Sequence, residues 1–375
     1  MSPFSPEESL RYLRQALRLA ARGRYRTPPN PMVGAVVVRD GEVVGTGFHQ
    51  VVGGPHAEFE ALAAAGERAR GATLFVTLEP CNHHGRTPPC SEQVLAAGIE
   101  HVVVCHRDPN ARVAGGGLAR LRQAGVKVEC GFLIEQAVRL NWRFLVAETL
   151  GRPAVTLKWA MSLDGKIATA GGESQWISSP QGRRWGLDQR ERHDAILVGS
   201  GTVLSDDPSL NRRLDRTQDD NLRVVLDRRL RTPPSAKMLT LDGEVLIYTE
   251  QESDPDARQR LAARGASVVV LPTVEPAAVL ADLFQRGVRS LLVEGGGTVA
   301  AAFAQAGLFD RVAVNCAPLL IGGEAALGPL GGAGFTPLSA APRLADLQVG
   351  RRGEDLILSG FRQECLPDLY ASVAD

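Results

Sequence analysis

Cysteine is scarce in this chain, with six residues in 375. That is too few for a disulfide framework and leaves each one to metal or to the core. An excess of one charge is missing as well. Forty-two basic residues meet forty-two acidic ones, so the positive surplus behind backbone-driven nucleic-acid binding is absent and a small-molecule substrate is expected instead. No apolar run reaches the ~18 residues of a membrane span. The opening Met1-Ser2-Pro3-Phe4 leads into an arginine-rich amphipathic stretch without an apolar signal core. The expectation is a cytoplasmic protein with neither nucleic acid nor membrane as partner. Repeats and low-complexity tracts are also lacking.

What is present is an ordinary globular composition, 44% hydrophobic and 22% charged, in a chain long enough for two compact units. Leu10, Leu13, Leu17 and Ala21 recur at helical spacing, while Arg11, Arg14, Arg18 and Arg22 form a second, solvated stripe. Strands over 32–38 and 43–48 flank Asp40-Gly41, a hairpin turn dipeptide. Strands over 73–78, 102–105 and 126–130 then alternate with helices over 90–97, 118–124 and 134–150, which predicts an α/β layer sandwich in residues 1–150. Gly151-Arg152-Pro153 marks the boundary. Residues 151–375 restart with strands over 154–159, 195–199, 223–226, 245–248, 268–271 and 290–293. They are expected to close on an antiparallel hairpin of 344–349 and 356–361. Cys105, Cys130 and Cys316 fall in strand-like runs, as buried free thiols do.

The chemistry concentrates at His56-Ala57-Glu58, Pro80-Cys81 and Cys90. One imidazole and two thiolates leave a tetrahedral zinc with an open fourth position, and the carboxylate two residues after the histidine can reach a water there. Zinc lowers the pKa of such a water to roughly 7, and Glu58 is then the proton carrier. Gly53-Gly54-Pro55 ends the preceding strand, so a helix is expected to open at the histidine, and a second one at Cys90, where its N-terminus favours thiolate. His-x-Glu with Pro-Cys and a second Cys is close to the pattern of zinc deaminases acting on nucleobases. Here eight residues separate the cysteines instead of two. The alternative is a closed structural zinc with His83 or His84 as fourth ligand, which leaves Glu58 without a role.

Pro29-Asn30-Pro31-Met32-Val33-Gly34, His56-Ala57-Glu58 and the run from Pro80 to Cys90 together resemble the pyrimidine deaminases of riboflavin biosynthesis. The second half resembles the reductase of the same bifunctional family, through the run Lys158 to Lys166, Gly172 to Ile177, Ser205-Asp206-Asp207-Pro208 and Val293-Glu294-Gly295-Gly296-Gly297. The resemblance implies a cytidine-deaminase-like three-layer α/β sandwich followed by a dihydrofolate-reductase-like α/β domain, with zinc and NADPH as cofactors, assembled as a homodimer or homotetramer. It implies two reactions on 2,5-diamino-6-ribosylamino-4(3H)-pyrimidinone 5′-phosphate: hydrolytic loss of the ring 2-amino group, then reduction of the ribosyl chain to ribityl. By the same match His56, Cys81 and Cys90 are zinc ligands, Glu58 is the proton shuttle, and Asn30, His49 and Arg86 hold substrate. Arg86 can equally be a solvated loop charge.

In the second half, Gly295-Gly296-Gly297-Thr298 follows an apolar strand and opens a helix over 299–306, presenting backbone N–H groups to a phosphate. It does not fit Gly-x-Gly-x-x-Gly, so a Rossmann domain is not supported. The family match puts Ser174, Arg190, Leu210, Arg213 and Glu294 around the sugar phosphate, and Ala160, Trp176, Thr202, Asp206, Gly296, Gly297, Thr298, Val299, Ala300, Ala301 and Ala302 around NADPH. An ion pair of Arg190 with Glu191 or Asp194 is the alternative. Arg228 can separate NADPH from NADH. Lys158 can orient substrate or protonate the sugar, or else snorkel from its strand. Asn211 stands where relatives are expected to carry threonine. Two rivals remain at this stage: a deaminase of RNA or a free nucleoside with a ligand-binding second domain, and a ligand-sensing module with purely structural zinc.

Overall fold

The computed structural model describes residues 4–83, 88–110, 113, 116–214, 216, 220–251 and 253–374. The chain divides into two units, Met1–Gly151 with Leu366–Asp375, and Arg152–Cys365.

The first unit contains α1 (Pro6–Ala20), β1 (Gly34–Arg39), β2 (Glu42–Phe48), α2 (Ala57–Ala65), β3 (Thr73–Val76), α3 (Cys90–Ala96), β4 (His101–Val104), α4 (Gly116–Gln123), β5 (Lys127–Cys130) and α5 (Ile134–Leu150). The sheet runs β2-β1-β3-β4-β5, with β1 antiparallel to both neighbours and β3, β4 and β5 parallel. Successive strand residues face opposite ways, and this divides the unit into two cores. Ala35, Val37, Leu74, Val76, Val102 and Val104 pack with Ala57, Ala61, Val94, Leu118 and Leu121 of α2, α3 and α4. Val36, Val38, Phe75 and Val103 pack with Tyr12, Leu13 and Ala16 of α1 and Ala137 of α5. Three layers result, as expected.

Asp40 and Gly41 both take positive φ, 50° and 81°, as a two-residue hairpin turn requires. The buried stripe of α1 differs from the expected one: it is Ser9, Tyr12, Leu13, Ala16 and Ala20. The Tyr12 ring lies 5.0 Å from that of Phe75 and its hydroxyl donates to the Gly41 carbonyl at 2.8 Å, which turns the helix toward its aromatic residue. The helix α2 lies close across β2 because Gly45 and Gly47 carry no side chain. A Cβ at these positions would stand 2.2 Å from the Ala61 carbonyl oxygen and 2.4 Å from that of Ala57.

The second unit contains β6 (Ala154–Ser162), α6 (Pro180–Glu191), β7 (Ala195–Gly199), α7 (Ser200–Asp206), β8 (Leu222–Leu226), β9 (Val245–Glu250), α8 (Pro255–Ala262), β10 (Ala266–Leu271), α9 (Pro276–Gln285), β11 (Ser290–Val293), α10 (Gly297–Gln305), β12 (Arg311–Ala317), β13 (Leu344–Arg352) and β14 (Asp355–Arg362). Its sheet runs β10-β9-β8-β7-β11-β6-β12-β14-β13, parallel until β14 pairs antiparallel with β12 and β13. Val155, Leu157, Leu197, Val224 and Leu291 pack under α9 and α10, while Ile196, Val198, Val225, Ile247 and Leu292 pack under α7 and α8.

The hairpin β13–β14 does not end the chain. A last helix, α11 (Cys365–Ser372), follows it, and residues from Leu366 onward belong to the first unit. Its apolar residues Leu366 and Leu369 are buried, as is Val373 just beyond it, and such a short amphipathic stretch carries no local sign of which core it joins.

Candidate active sites

In the first unit the backbone brings two helix starts and one strand end to a single point. His56 is the N-cap of α2, Cys90 the first residue of α3, and Cys81 follows β3. The segment leading into Cys81 is anchored by the buried carboxylate of Glu79, which accepts from the backbone N–H groups of Gly117, Leu118 and Asp108 at 3.0, 3.2 and 3.2 Å. His56 Nδ1 lies 3.1 Å from Cys90 Sγ and 3.6 Å from Cys81 Sγ, and the three donor atoms all fall within 4.8 Å of one another. A tetrahedral zinc holds sulfur and nitrogen ~3.5 Å apart, so the donor set fits that ion. Among the described residues no fourth His, Cys, Asp or Glu joins the group. His83 is exposed; His84 and Arg86 lie outside the described residues.

The electrostatics agree with a cation-binding triad. The Cys81 thiol is pushed down to about 4, first by its hydrogen bond with Cys90 and then by those of His56 and the Cys90 backbone N–H. Cys90 is raised because it retains the proton that the two sulfurs share. A bound cation takes the place of that proton. Glu58, 3% exposed, is pushed up to about 7, chiefly by burial, with His56 opposing. Its carboxyl lies within hydrogen-bonding reach of Cys90 and is not itself one of the three donors.

Asn30 and His49 stand beside this triad. The His49 and His56 rings are 5.5 Å apart, edge to face. His49 Nδ1 donates to the Pro55 carbonyl at 2.9 Å, which leaves Nε2 to accept from Asn30 Nδ2 at 3.3 Å. Burial lowers the His49 pKa, consistent with that neutral tautomer.

The second unit holds a cleft of about 690 Å³ at the carboxyl ends of its parallel strands, where open α/β sheets bind ligands. Of the expected residues, Lys158, Ala160, Ser174, Trp176, Arg190, Thr202, Asp206, Arg213, Glu294 and Gly296 line it. Helix α6 approaches the sheet closely at two glycines that line the cleft. A Cβ at Gly182 would stand 1.9 Å from Asp355 Oδ2, and one at Gly186 3.1 Å from Lys158 Nζ. Gly296, at φ 67°, is the N-cap of α10, so that helix starts two residues earlier than expected. Gly297, Thr298, Val299, Ala300, Ala301 and Ala302 continue behind it as α10 and do not line the cleft, and Ala300 and Ala301 are buried.

Two residues, Leu210 and Arg228, are placed differently from expectation, and the alternative pairing of Arg190 does not form. Arg190 pairs with neither Glu191 nor Asp194. It forms a forked ion pair with Glu294, Nε to Oε1 at 3.0 Å and Nη2 to Oε2 at 2.6 Å. Burial opposes the charge on Glu294, but Arg190, backed by Lys158, outweighs it and holds the carboxyl below its usual range. Leu210 is 1% exposed in the core beside Ile196 and Val225, and only its carbonyl is engaged, by Asn221 Nδ2 at 2.9 Å. Arg228 is exposed, pairs with Glu250 at 3.3 Å and is not among the cleft residues. Asn211 accepts from Arg213 Nε at 2.9 Å and, through its carbonyl, from Arg190 Nη1 at 3.4 Å. Sequence reasoning did not single out Lys237, Arg183 or Asn315, all of which line the cleft; an isolated charge or amide in a connection, on a helix or on a strand gives no local signal.

A three-donor metal centre with a buried carboxylate defines a zinc-dependent deaminase unit, and the second unit carries a nucleotide-sized cleft at its strand ends. Residues 6–106 match the cytidine and deoxycytidylate deaminase zinc-binding region, and residues 153–358 match the RibD C-terminal domain. Riboflavin biosynthesis protein RibD of Bacillus amyloliquefaciens is 43% identical over 357 residues, covering 94% of this chain and 96% of that protein. RibD of Escherichia coli K12 is 41% identical, covering 92% and 97%. The Acinetobacter baumannii RibD structure (form 1) superposes with a TM-score of 0.87 at 38% identity, covering 95% and 99%. The Thermotoga maritima diaminohydroxyphosphoribosylaminopyrimidine deaminase/5-amino-6-(5-phosphoribosylamino)uracil reductase superposes with 0.83 at 34%, also covering 95% and 99%. The chain belongs to the RibD family of riboflavin biosynthesis proteins.

Proposed function

We propose that this chain is a bifunctional enzyme of riboflavin biosynthesis. Its first unit removes the 2-amino group of 2,5-diamino-6-ribosylamino-4(3H)-pyrimidinone 5′-phosphate by hydrolysis, and its second reduces the ribosyl chain of the product to ribityl with NADPH. The carrying observation is the His56, Cys81 and Cys90 triad with Glu58 buried beside it. When bound, zinc supplies the Lewis acidity that makes water a nucleophile at neutral pH. Glu58 takes the proton from the attacking water, delivers it to the ring nitrogen beside the attacked carbon, and then assists the departure of ammonia. A carboxyl raised toward neutrality by burial suits that exchange. Asn30, oriented by His49, and Arg86 hold the substrate.

In the second unit NADPH supplies the reducing hydride when bound. The fit of the cleft to that group rests on the Gly296 turn at the head of α10 and on cations lining the strand ends. Lys158 Nζ has no hydrogen-bond partner among the described residues and faces Gly186 and Glu294; it protonates the sugar oxygen as the carbon is reduced. Arg213, held by Asn211 and Ser209, receives the substrate phosphate, with Ser174 beside it. The pair Arg190–Glu294 engages both carboxylate oxygens within the cleft, so these residues shape the floor of the phosphate site and meet the sugar as a unit.

The proposal includes a cytoplasmic homo-oligomer, a dimer or tetramer, without nucleic-acid or membrane partners. Its support is the balanced charge and the edge strand β13, where Leu347 is 64% and Val349 70% exposed. Among the described residues no helix is long and apolar enough to cross a membrane. The test is to supply purified protein with the diaminopyrimidine ribosyl phosphate and score ammonia release and NADPH oxidation separately. Oxidation that follows ammonia release supports the order; ammonia without oxidation removes the reductase half.

A further inference from the structure

We infer that Lys237 is the cation that recognises the 2′-phosphate of the dinucleotide and so selects NADPH over NADH. This rests on the reductase reading of the second unit. The argument starts from strand order. Across the cleft the sheet runs β8-β7-β11-β6, and neighbouring strands lie ~4.8 Å apart, so the ends of β6 and β8 stand ~14 Å from each other. Dinucleotides lie across such a row of carboxyl ends. Lys158 and Ala160 come from β6, Gly296 follows β11, and Thr202 and Asp206 follow β7. Lys237 reaches the cleft from the chain that leaves β8, and so occupies the end of the row opposite Lys158.

Its position is fixed while its charge is left over. The backbone N–H of Lys237 donates to Asp207 Oδ1 at 2.8 Å, and Asp207, at φ 40°, is the residue on which α7 stops. Among the described residues the ammonium of Lys237 has no hydrogen-bond or carboxylate partner. The other cleft cations are occupied or belong to the opposite end. Arg190 is forked onto Glu294. Arg213, oriented by Asn211 and Ser209, is the cation assigned to the substrate phosphate. Arg183 lies over the Trp176 ring at 4.6 Å and donates to the Ser178 carbonyl at 2.8 Å. Arg228 is committed to Glu250 and to the Val274 carbonyl. A dianionic phosphate on the adenosine ribose needs an uncommitted cation near the acceptor that takes the neighbouring hydroxyl. Lys237 and Asp206, both lining the cleft, provide that combination.

The test is titration of 2′,5′-ADP and of 5′-AMP into wild type, Lys237→Gln, Lys237→Arg and Arg228→Gln, followed by calorimetry. Wild type is expected to bind 2′,5′-ADP more tightly than 5′-AMP. Lys237→Gln should weaken 2′,5′-ADP about tenfold, the loss of one charge-assisted hydrogen bond, and leave 5′-AMP unchanged. Lys237→Arg should keep most of the preference, Arg228→Gln all of it, and added salt should erode it in wild type. An unchanged preference in Lys237→Gln, or its loss in Arg228→Gln, overturns the assignment. So does a wild type that binds NADPH and NADH equally. If wild type binds neither dinucleotide, the reductase reading fails and this inference with it.

Discussion

Truncating Glu294 to alanine should destabilise the second unit far more than removal of an exposed charge. Both carboxylate oxygens accept from Arg190, at 3.0 and 2.6 Å, and the two side chains are only 7% and 14% exposed. Glu294→Ala leaves the guanidinium buried, with the Asn211 carbonyl at 3.4 Å as its remaining partner. Breaking one side of a buried pair costs about 3–5 kcal/mol, because the surviving charge keeps its desolvation penalty without its compensation. For a unit of this size that corresponds to a fall in Tm of roughly 6–20 °C. Replacing both residues, Arg190→Met with Glu294→Leu, removes both charges and should cost less than either single change. Thermal unfolding of the two single variants and the double variant tests this. Single losses under about 1 kcal/mol, or a double loss equal to their sum, would refute the claim that the pair is formed and buried.

Glu58→Gln should retain zinc but slow ammonia release by ~10² to 10⁴-fold, read by metal analysis beside turnover; loss of the metal together with activity would make Glu58 a structural residue. Lys158→Met should leave NADPH binding intact and depress the rate of sugar reduction, and unchanged single-turnover kinetics would return the lysine to a snorkelling role. Asp108 provides a pH test of the first unit. Burial, with Glu79, Glu148 and Cys81 nearby, raises its carboxyl from 3.8 to about 7. Between those values the folded protein keeps a proton that the unfolded chain has released, so this group's contribution to stability falls as pH rises through that window and is fully lost above it. Asp108→Asn should therefore be more stable than wild type at pH 8, by about 2 to 4 kcal/mol, and the advantage should vanish toward pH 4. A difference independent of pH contradicts the assignment.

The sequence made legible whatever depends on near neighbours. The unbroken apolar runs Ala35 to Val38 and Leu74 to Val76 read as strands, and in the structure their residues divide between two cores. Gly53-Gly54-Pro55 announced the start of α2, which made His56 an N-cap. The candidate donors His56 and Cys90 were legible from helix starts and Cys81 from its Pro80-Cys81 motif, and the structure brings their donor atoms within 4.8 Å of one another. What stayed hidden depends on contacts far apart in the chain. Arg190 and Glu294 are 104 residues apart; the family match grouped them at one ligand, but their direct ion pair had no local signal and local spacing offered only Glu191 or Asp194 as partners. Leu210 matched a motif for ligand contact, yet its φ of 49° and 1% exposure place the side chain in the core. Helix α11 carried an apolar face without any mark that it joins the first unit. Arg228 was singled out from a strand end, where the Glu250 carboxylate claims it.

The most direct test of the account is the coordination shell of zinc in crystals of the metal-loaded protein. The account predicts His56 Nδ1, Cys81 Sγ and Cys90 Sγ as the only protein ligands, with the remaining tetrahedral position facing Glu58 and free of protein atoms. A fourth protein ligand, from His83 or His84, would close the site and contradict the hydrolytic role of the first unit.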